Sequence, residues 1–320
     1  MPVYRCVAGQ GAGFNMVSMA SIVERSGVVL VDKPAGMTSH DVVAKMRRIM
    51  GTRRVGHAGT LDPMATGVLV VGVERGTKFL AHVVTHDKRY RATVRLGAST
   101  LTDDAEGEVL STADVSDVTE SAVREAFASQ VGEIMQRPSS VSSIKINGVR
   151  AHERVRAGED VVLPERPVTV FSLDVNSYDA QQDFIDITID VHCSSGTYIR
   201  SIARDVGDAL GVGGHLVALR RTSVGPFNIA DCRDLEQLQS TEEPVAKLSM
   251  SLDEVMVHCF PTRDITESEG KDVSLGKWLT PIGRKEPYAV VTPSGHAIAV
   301  LQEKGKRAAS IFVARPDGLQ

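Results

Sequence analysis

One acid, Asp62, stands in the stretch Val55 to Leu69, which reads V-G-H-A-G-T-L-D-P-M-A-T-G-V-L and also holds Gly56, Gly59, Gly67 and Pro63. Glycine opens backbone conformations closed to other residues, and proline fixes φ and removes a donor, so this stretch is a shaped loop. A carboxylate on a stiff turn beside the buried run Val68-Leu69-Val70-Val71 is well placed to act as a nucleophile or a base. The same residues also fit an Asx-type turn in which Asp62 bonds only its own backbone. Two further side chains could join such chemistry. Tyr90 offers a ring for stacking and a hydroxyl for proton handling, and Arg200 offers a permanent cation; a strand-end tyrosine in the core and a surface arginine are their plain structural readings.

The elements that must carry these residues follow from periodicity. Gly27 to Asp32 (G-V-V-L-V-D) reads as a buried strand, followed by the loop Lys33-Pro34-Ala35-Gly36-Met37-Thr38. Ser39 can then cap a helix running to about Met50, with Val42, Val43, Met46, Ile49 and Met50 as its apolar stripe and Gly51 as its stop. In Tyr90 to Leu96, strict alternation puts Tyr90, Ala92, Val94 and Leu96 on one face and Arg91, Thr93 and Arg95 on the other. Phe184 to Cys193 alternates in the same way, with Asp186 and Asp190 facing out. A turn at Ser194 to Thr197 leads into a helix in which Ile199, Ile202, Ala203, Val206 and Leu210 share a face, and Arg200 lies in its first turn.

Composition is that of a globular protein: 320 residues, 42% hydrophobic and 24% charged, enough for two domains. Net charge is −4, but it is segregated. Asp41 to Thr100 holds eleven Lys/Arg against four acids, whereas Leu101 to Gln130 holds eight acids and one arginine. A basic region around Asp62 suits a phosphate backbone, though a solvated helix face would look the same. Cys6, Cys193, Cys232 and Cys259 show no metal or disulfide spacing, which makes a reducing cytoplasm the expected compartment. No apolar run approaches the ~20 residues of a membrane span, and neither a G-x-G-x-x-G nor a G-x-x-x-x-G-K-[ST] motif occurs in the context a nucleotide site needs.

The words of the sequence go further than its periodicity. G-H-A-G-T-L-D-P-x-A-T-G-V-L (56–69) resembles the catalytic motif of the TruB-type tRNA pseudouridine synthases. K-P-x-G-M-T-S from Lys33, K-x-Y-x-A-x-x-x-L-G around Tyr90, G-T-Y-I-R-S-I-A-R-D around Arg200 and L-R-R-T-x-x-G-x-F from Leu219 match further motifs of that family. The resemblance runs from about Gly27 to Phe227, apart from the acidic loop Leu101 to Glu108 and the thumb-like segment.

It implies an α+β fold: a mixed, largely antiparallel sheet flanked by helices (the pseudouridine synthase fold), with a small β-rich PUA-like domain at the C-terminus. The expected division is a mobile leader over 1–26, a catalytic domain over 27–239 with a thumb-like insertion at about 137–166, a linker over 240–255 and the PUA-like domain over 256–320. It further implies isomerisation of the T-loop uridine at position 55 of tRNA by base flipping, with Asp62 as nucleophile, Arg200 pairing with it to keep it ionised and oriented, and Tyr90 stacking and taking the C5 proton. His57, Tyr198, Leu219, Lys33 and Lys78 are the expected substrate contacts. Breaking N1–C1′ and making C5–C1′ transfers no electrons, so neither a cofactor nor a metal is expected. The implied partner is the T-stem and loop of tRNA, met by a monomer in the cytoplasm without a membrane or an obligatory protein partner. Two other classes remain open: an RNA-binding chaperone that folds tRNA, and a carboxylate glycosidase on nucleosides, which needs a second acid ~5–10 Å from Asp62.

Overall fold

The computed structural model describes residues 21–140, 145–146, 149–150 and 163–316. A ten-stranded mixed sheet forms the frame. Its strands are β1 (Gly27–Lys33), β2 (Val55–Ala58), β3 (Thr66–Val73), β4 (Lys88–Leu96), β7 (Gly132–Gln136), β10 (Arg166–Ala180), β11 (Ile185–Cys193), β12 (Gly214–Val224), β13 (Phe227–Asn228) and β14 (Met250–Ser251). Between these lie two small hairpins, β5 (Ala98–Thr100) with β6 (Val109–Thr112) and β8 (Lys145–Ile146) with β9 (Val149–Arg150). The order is β14-β1-β3-β12-β4-β11-β10-β7, with β2 on β3 and β13 on β12. Among the described residues, the β12–β3 pair is the parallel one in this sheet.

The two halves of this sheet bury different surfaces, and their sequences say why. On β1 and β3, helix α1 (Ser39–Ile49) covers the face of Val29, Val31, Leu69 and Val71, while α2 (Gly76–Val83) packs against Val28, Leu30, Val68 and Val70. A strand covered on both faces needs an unbroken apolar run, which V-V-L-V and V-L-V-V supply. On β4 and β11 only one face is covered, by α3 (Glu120–Ala128) and α4 (Ile199–Ala209), and there the sequence alternates. Their open face carries the cross-strand pairs Arg91–Asp190 and Arg95–Asp186, both at 2.8 Å.

Four strands make the C-terminal sheet: β15 (Thr262–Asp264), β16 (Tyr288–Val291), β17 (Ala297–Lys304) and β18 (Arg307–Val313). Among the described residues the remaining α-helices are α5 (Leu235–Ser240), α6 (Leu252–Cys259) and α7 (Glu267–Ser274). The small sheet shares a core with the large one, because Phe79 of α2 stacks edge-on against Phe312, and Val300 and Ala289 join the same cluster. Arg75 donates to the carbonyls of Ala314 and Val313, stitching the two parts together.

Several boundaries differ from those read in the sequence. The expected linker 240–255 is packed: β14 pairs with β1, and Lys247, buried, donates to Ile49 O at 2.9 Å and so closes the C-terminal end of α1. Of the expected leader, residues 1–20 lie outside the described residues. Residues 21–26 form a turn in which Val23 is buried and Ser26 accepts from the Arg75 amide. Most of the thumb-like insertion lies outside the described residues. Thr38, not Ser39, caps α1, in a reciprocal capping box with Asp41. The segment 55–69 is less loop than expected, since Val55–Ala58 and Thr66–Leu69 are strand and only 59–65 turns freely.

Candidate active site

Asp62 sits at the tip of the loop between β2 and β3, and the loop is held by several independent ties. Ser39 receives the Leu61 amide at 2.9 Å and donates to the Leu61 carbonyl at 3.1 Å, fixing the residue before Asp62. The Pro63 carbonyl accepts from the Gly36 amide at 2.9 Å and from Lys33 Nζ at 3.1 Å. Gly67 is required where the loop rejoins β3: it has φ +102°, and a Cβ there would lie 2.2 Å from the carbonyl oxygen of Arg221.

Arg200, in the first turn of α4, meets the carboxylate with its Nε 3.0 Å from Asp62 Oδ2. The turn entering α4 is aimed by Gln136, which accepts from the Tyr198 amide at 2.8 Å and donates to its carbonyl at 3.1 Å. The guanidinium does not serve Asp62 alone. Its Nη1 is 3.2 Å from Asp104 Oδ2, 2.7 Å from the Thr102 carbonyl and 3.5 Å from Ser139 Oγ. Asp104 is buried, and its other oxygen accepts from Thr102 Oγ1 and the Glu106 amide. Asp103, which adopts φ +58°, pairs with Arg204 one turn along α4 at 3.1 Å. The acidic loop, which carries no assigned role in the sequence reading, therefore docks against α4 through two arginines.

The electrostatics of Asp62 are a contest. Burial raises its pKa most, and the like charge of Asp104 adds to that; Arg200 and Lys33 pull it down without cancelling the rise. The pair thus orients Asp62 as expected, but it does not hold the carboxyl at an ordinary acidity. The side chain is 38% exposed because one side faces the open cavity. A substrate filling that cavity removes this water and strengthens both effects.

That cavity measures about 630 Å³ and is lined by Asp62, Tyr90, Tyr198, Arg200, Leu219 and Arg221 among others, a size ordinary for a small-ligand pocket. Tyr90 follows Lys88 in the inward alternation of β4 and is buried. Burial raises its hydroxyl pKa, opposed first by Arg221. Leu219 comes from the adjacent strand β12, where it pairs with Ala92, so the geometry gathers Asp62, Tyr90, Arg200, Tyr198 and Leu219 around one space.

The other three expected contacts fall elsewhere. Lys33 is fully buried and donates to the carbonyls of Pro34, Met37 and Pro63, which removes it from any contact with a substrate. Burial lowers its pKa to about 8. Lys78 is exposed on α2, away from the cavity lining. His57 lies on β2 behind the loop, 5.8 Å edge-on from the ring of His40, which does line the cavity. Burial depresses the His57 pKa, and its Nδ1 is buried without a partner among the described residues.

Comparison with known proteins places this geometry. Residues 47–199 match the family model described as TruB family pseudouridylate synthase (N terminal domain). Residues 200–257 match tRNA pseudouridylate synthase B C-terminal domain, and 260–315 match tRNA Pseudouridine synthase II, C terminal. The chain is 69% identical over 310 residues to the tRNA pseudouridine synthase B of Corynebacterium jeikeium, covering 95% of this chain and 99% of that one. It is 53% identical over 296 residues to that of Rhodococcus jostii, covering 92% and 96%. Among solved structures, a chain of a Cbf5-Nop10-Gar1 complex superimposes with a TM-score of 0.69 at 26% identity over 93% of this chain and 88% of that one. With its Asp62–Arg200 pair set in a matching fold and its sequence aligned along nearly the whole length of these relatives, the chain belongs to the TruB family of pseudouridylate synthases.

Proposed function

We propose that the chain isomerises the T-loop uridine at position 55 of tRNA to pseudouridine, with Asp62 as the nucleophile on a flipped-out base. The carrying observation is the Asp62–Arg200 pair at 3.0 Å, facing a cavity that also presents the Tyr90 ring and the Leu219 side chain. A base must leave the RNA stack before a side chain can reach it, at a cost of a few kcal/mol. Tyr90 and Leu219, on the neighbouring strands β4 and β12, offer the apolar and stacking surface that offsets this cost.

Asp62 then attacks the sugar or the base while the N1–C1′ bond breaks and its electron pair stays with uracil. After the base turns, C5 bonds to C1′, the bond between Asp62 and the substrate breaks to regenerate the carboxylate, the C5 proton leaves to Tyr90, and N1 takes up a proton. Arg200 holds the attacking oxygen in line, which is worth more than attraction alone because misplacement of a reacting atom is costly. The substrate surface is the T-stem and loop, and the protein acts as a monomer in the cytoplasm. Among the described residues no helix is long and apolar enough to cross a membrane. The four C-terminal strands, within the proposed PUA-like unit 256–320, extend the RNA-binding surface.

The test uses an unmodified tRNA transcript, with carbodiimide labelling and primer extension to map new pseudouridine. One stop at position 55, absent with Asp62→Asn, is the expected outcome. Tight tRNA binding with no stop would leave a chaperone; a stop elsewhere would keep the chemistry and change the substrate.

A further inference from the structure

A second buried arginine borders the same cavity from the other side, and no motif role accounts for it. Arg221 on β12 is 1% exposed. In register it lies between Gly67 of β3 and Tyr90 of β4, so one residue faces both the returning end of the Asp62 loop and the strand that carries the tyrosine. Its Nε donates to the Val68 carbonyl and its Nη2 to the Gly59 carbonyl, both at 2.8 Å. Gly59 and Val68 bracket the loop, with Asp62 between them. Arg221 and Tyr90 are cross-strand neighbours that both line the cavity, and the charge of Arg221 favours the ionised Tyr90 hydroxyl.

Tying two carbonyls does not need a charge. A neutral amide donates equally well and avoids the desolvation of a cation, which is costly unless the cation is paired. Among the described residues Arg221 has no ion pair. Beside it is a second buried cation, Lys88, whose Nζ donates only to the carbonyls of Val84 and His86. A Cβ on Gly59 would sit 3.3 Å from Arg221 Nη1 and 3.7 Å from Lys88 Cε, so the two cations converge beneath that glycine. Positive charge is concentrated here for some reason other than holding the loop.

Tyr90 supplies one. A phenol takes a proton from carbon only as its phenolate, and burial opposes that ionisation. The titratable and charged groups acting on Tyr90 are Arg221, which favours the phenolate, and Asp62 and the buried thiol of Cys193, whose ionised forms would oppose it. We propose that Arg221 is a positioning residue for the reaction, its guanidinium fixing the Asp62 loop against Tyr90 and holding positive charge at the tyrosine hydroxyl. The inference rests on the proposed synthase reading.

The experiment is single-turnover pseudouridine formation on unmodified tRNA, alongside filter-binding affinity, for the full chain and its Arg221→Ala, Arg221→Gln and Asp62→Asn variants. For Arg221→Ala the rate is expected to fall about 100-fold, with tRNA affinity within about threefold because phosphate contacts dominate it. Millimolar ethylguanidinium should restore part of the rate, and urea at the same concentration should not. Arg221→Gln, which keeps donors for the carbonyls without the charge, should stay slow, and it decides the matter if Arg221→Ala does not fold. A wild-type rate in Arg221→Gln, or a loss seen in affinity and not in rate, overturns the proposal. A wild-type protein that forms no pseudouridine in this assay removes the synthase reading itself, an outcome distinct from either.

Discussion

The two walls of the cavity each carry a buried arginine, and the two are solvated by the protein in opposite ways. Arg200 is shared between two carboxylates, Asp62 at 3.0 Å and Asp104 at 3.2 Å. Arg221 is bound by backbone carbonyls, with Tyr90 as its cross-strand neighbour and a lysine nearby. The first wall is locally anionic and the second locally cationic, and a reaction that separates charge across a uracil ring lies between them. In the proposed mechanism the Arg200 wall would set the ionisation of Asp62, whereas the Arg221 wall would set geometry and charge at Tyr90.

The strongest break in this scheme is at Asp62. Asp62→Asn is expected to lower the single-turnover rate by about 10⁴-fold or more, while tRNA affinity stays within about tenfold because phosphate contacts dominate it. Turnover by a purified, sequence-verified variant would take the nucleophile role away from Asp62. Next in size is Arg200→Ala, for which a rate loss on the order of 100-fold or more is expected from misorientation alone. It should also change the pH profile. Asp62 has a raised pKa that Arg200 pulls down, so removing the guanidinium raises it further and moves the acid limb of kcat/KM to higher pH. Arg221 is not among the groups acting on Asp62 in this way, and Arg221→Ala should lower the plateau without moving that limb. Equal shifts in both variants would erase the distinction between the walls.

Lys33 serves as an internal control for the carbonyl-bound wall. It too is buried and bound to carbonyls, but it lies off the cavity. Lys33→Met strips hydrogen bonds from Pro34, Met37 and Pro63, and should cost about 3 kcal/mol of stability by urea denaturation. Its folded fraction should lose less rate than Arg221→Ala does, because the Asp62 loop keeps its ties to Ser39 and Arg221. A larger rate loss with unchanged stability would move Lys33 from scaffold to chemistry.

What could be read from the sequence, and what could not, divides along the range of the interaction. Asp62, Tyr90 and Arg200 were legible because a loop composition, a strand alternation and a helix start placed each one, and the family motifs joined them. Asp104 was not. It lies in a run of acids that reads as a solvated loop, and only the fold brings it 96 residues along to Arg200. Arg221 follows Arg220 in the strand; alternation says that one of them points inward, not which one, and it is Arg220 that turns out to Asp32 at 2.7 Å. Thr38 and Ser39 are neighbouring hydroxyls equally able to cap a helix. The choice fell to Thr38 because Ser39 is needed at Leu61. Pro244 and polar neighbours make residues 240–255 read as a linker in the sequence, yet their packing depends on β14 reaching β1 and on Lys247 reaching the end of α1, contacts that composition does not record.

The finest test of the comparison is Asp104→Asn. The substitution keeps the size of the side chain and acceptors for Thr102 and Glu106, and it removes one negative charge from the Arg200 wall. Asp104 raises the Asp62 pKa, so its neutralisation should lower that pKa and shift the acid limb of kcat/KM to lower pH. This is the opposite direction to Arg200→Ala. Above both pKa values the plateau rate should fall only modestly, about tenfold or less, since Arg200 keeps its bonds to Asp62 and to the Thr102 carbonyl. If instead the limb stays fixed and the plateau collapses, Asp104 acts by holding Arg200 in place, and the anionic wall is a matter of geometry as the cationic one is.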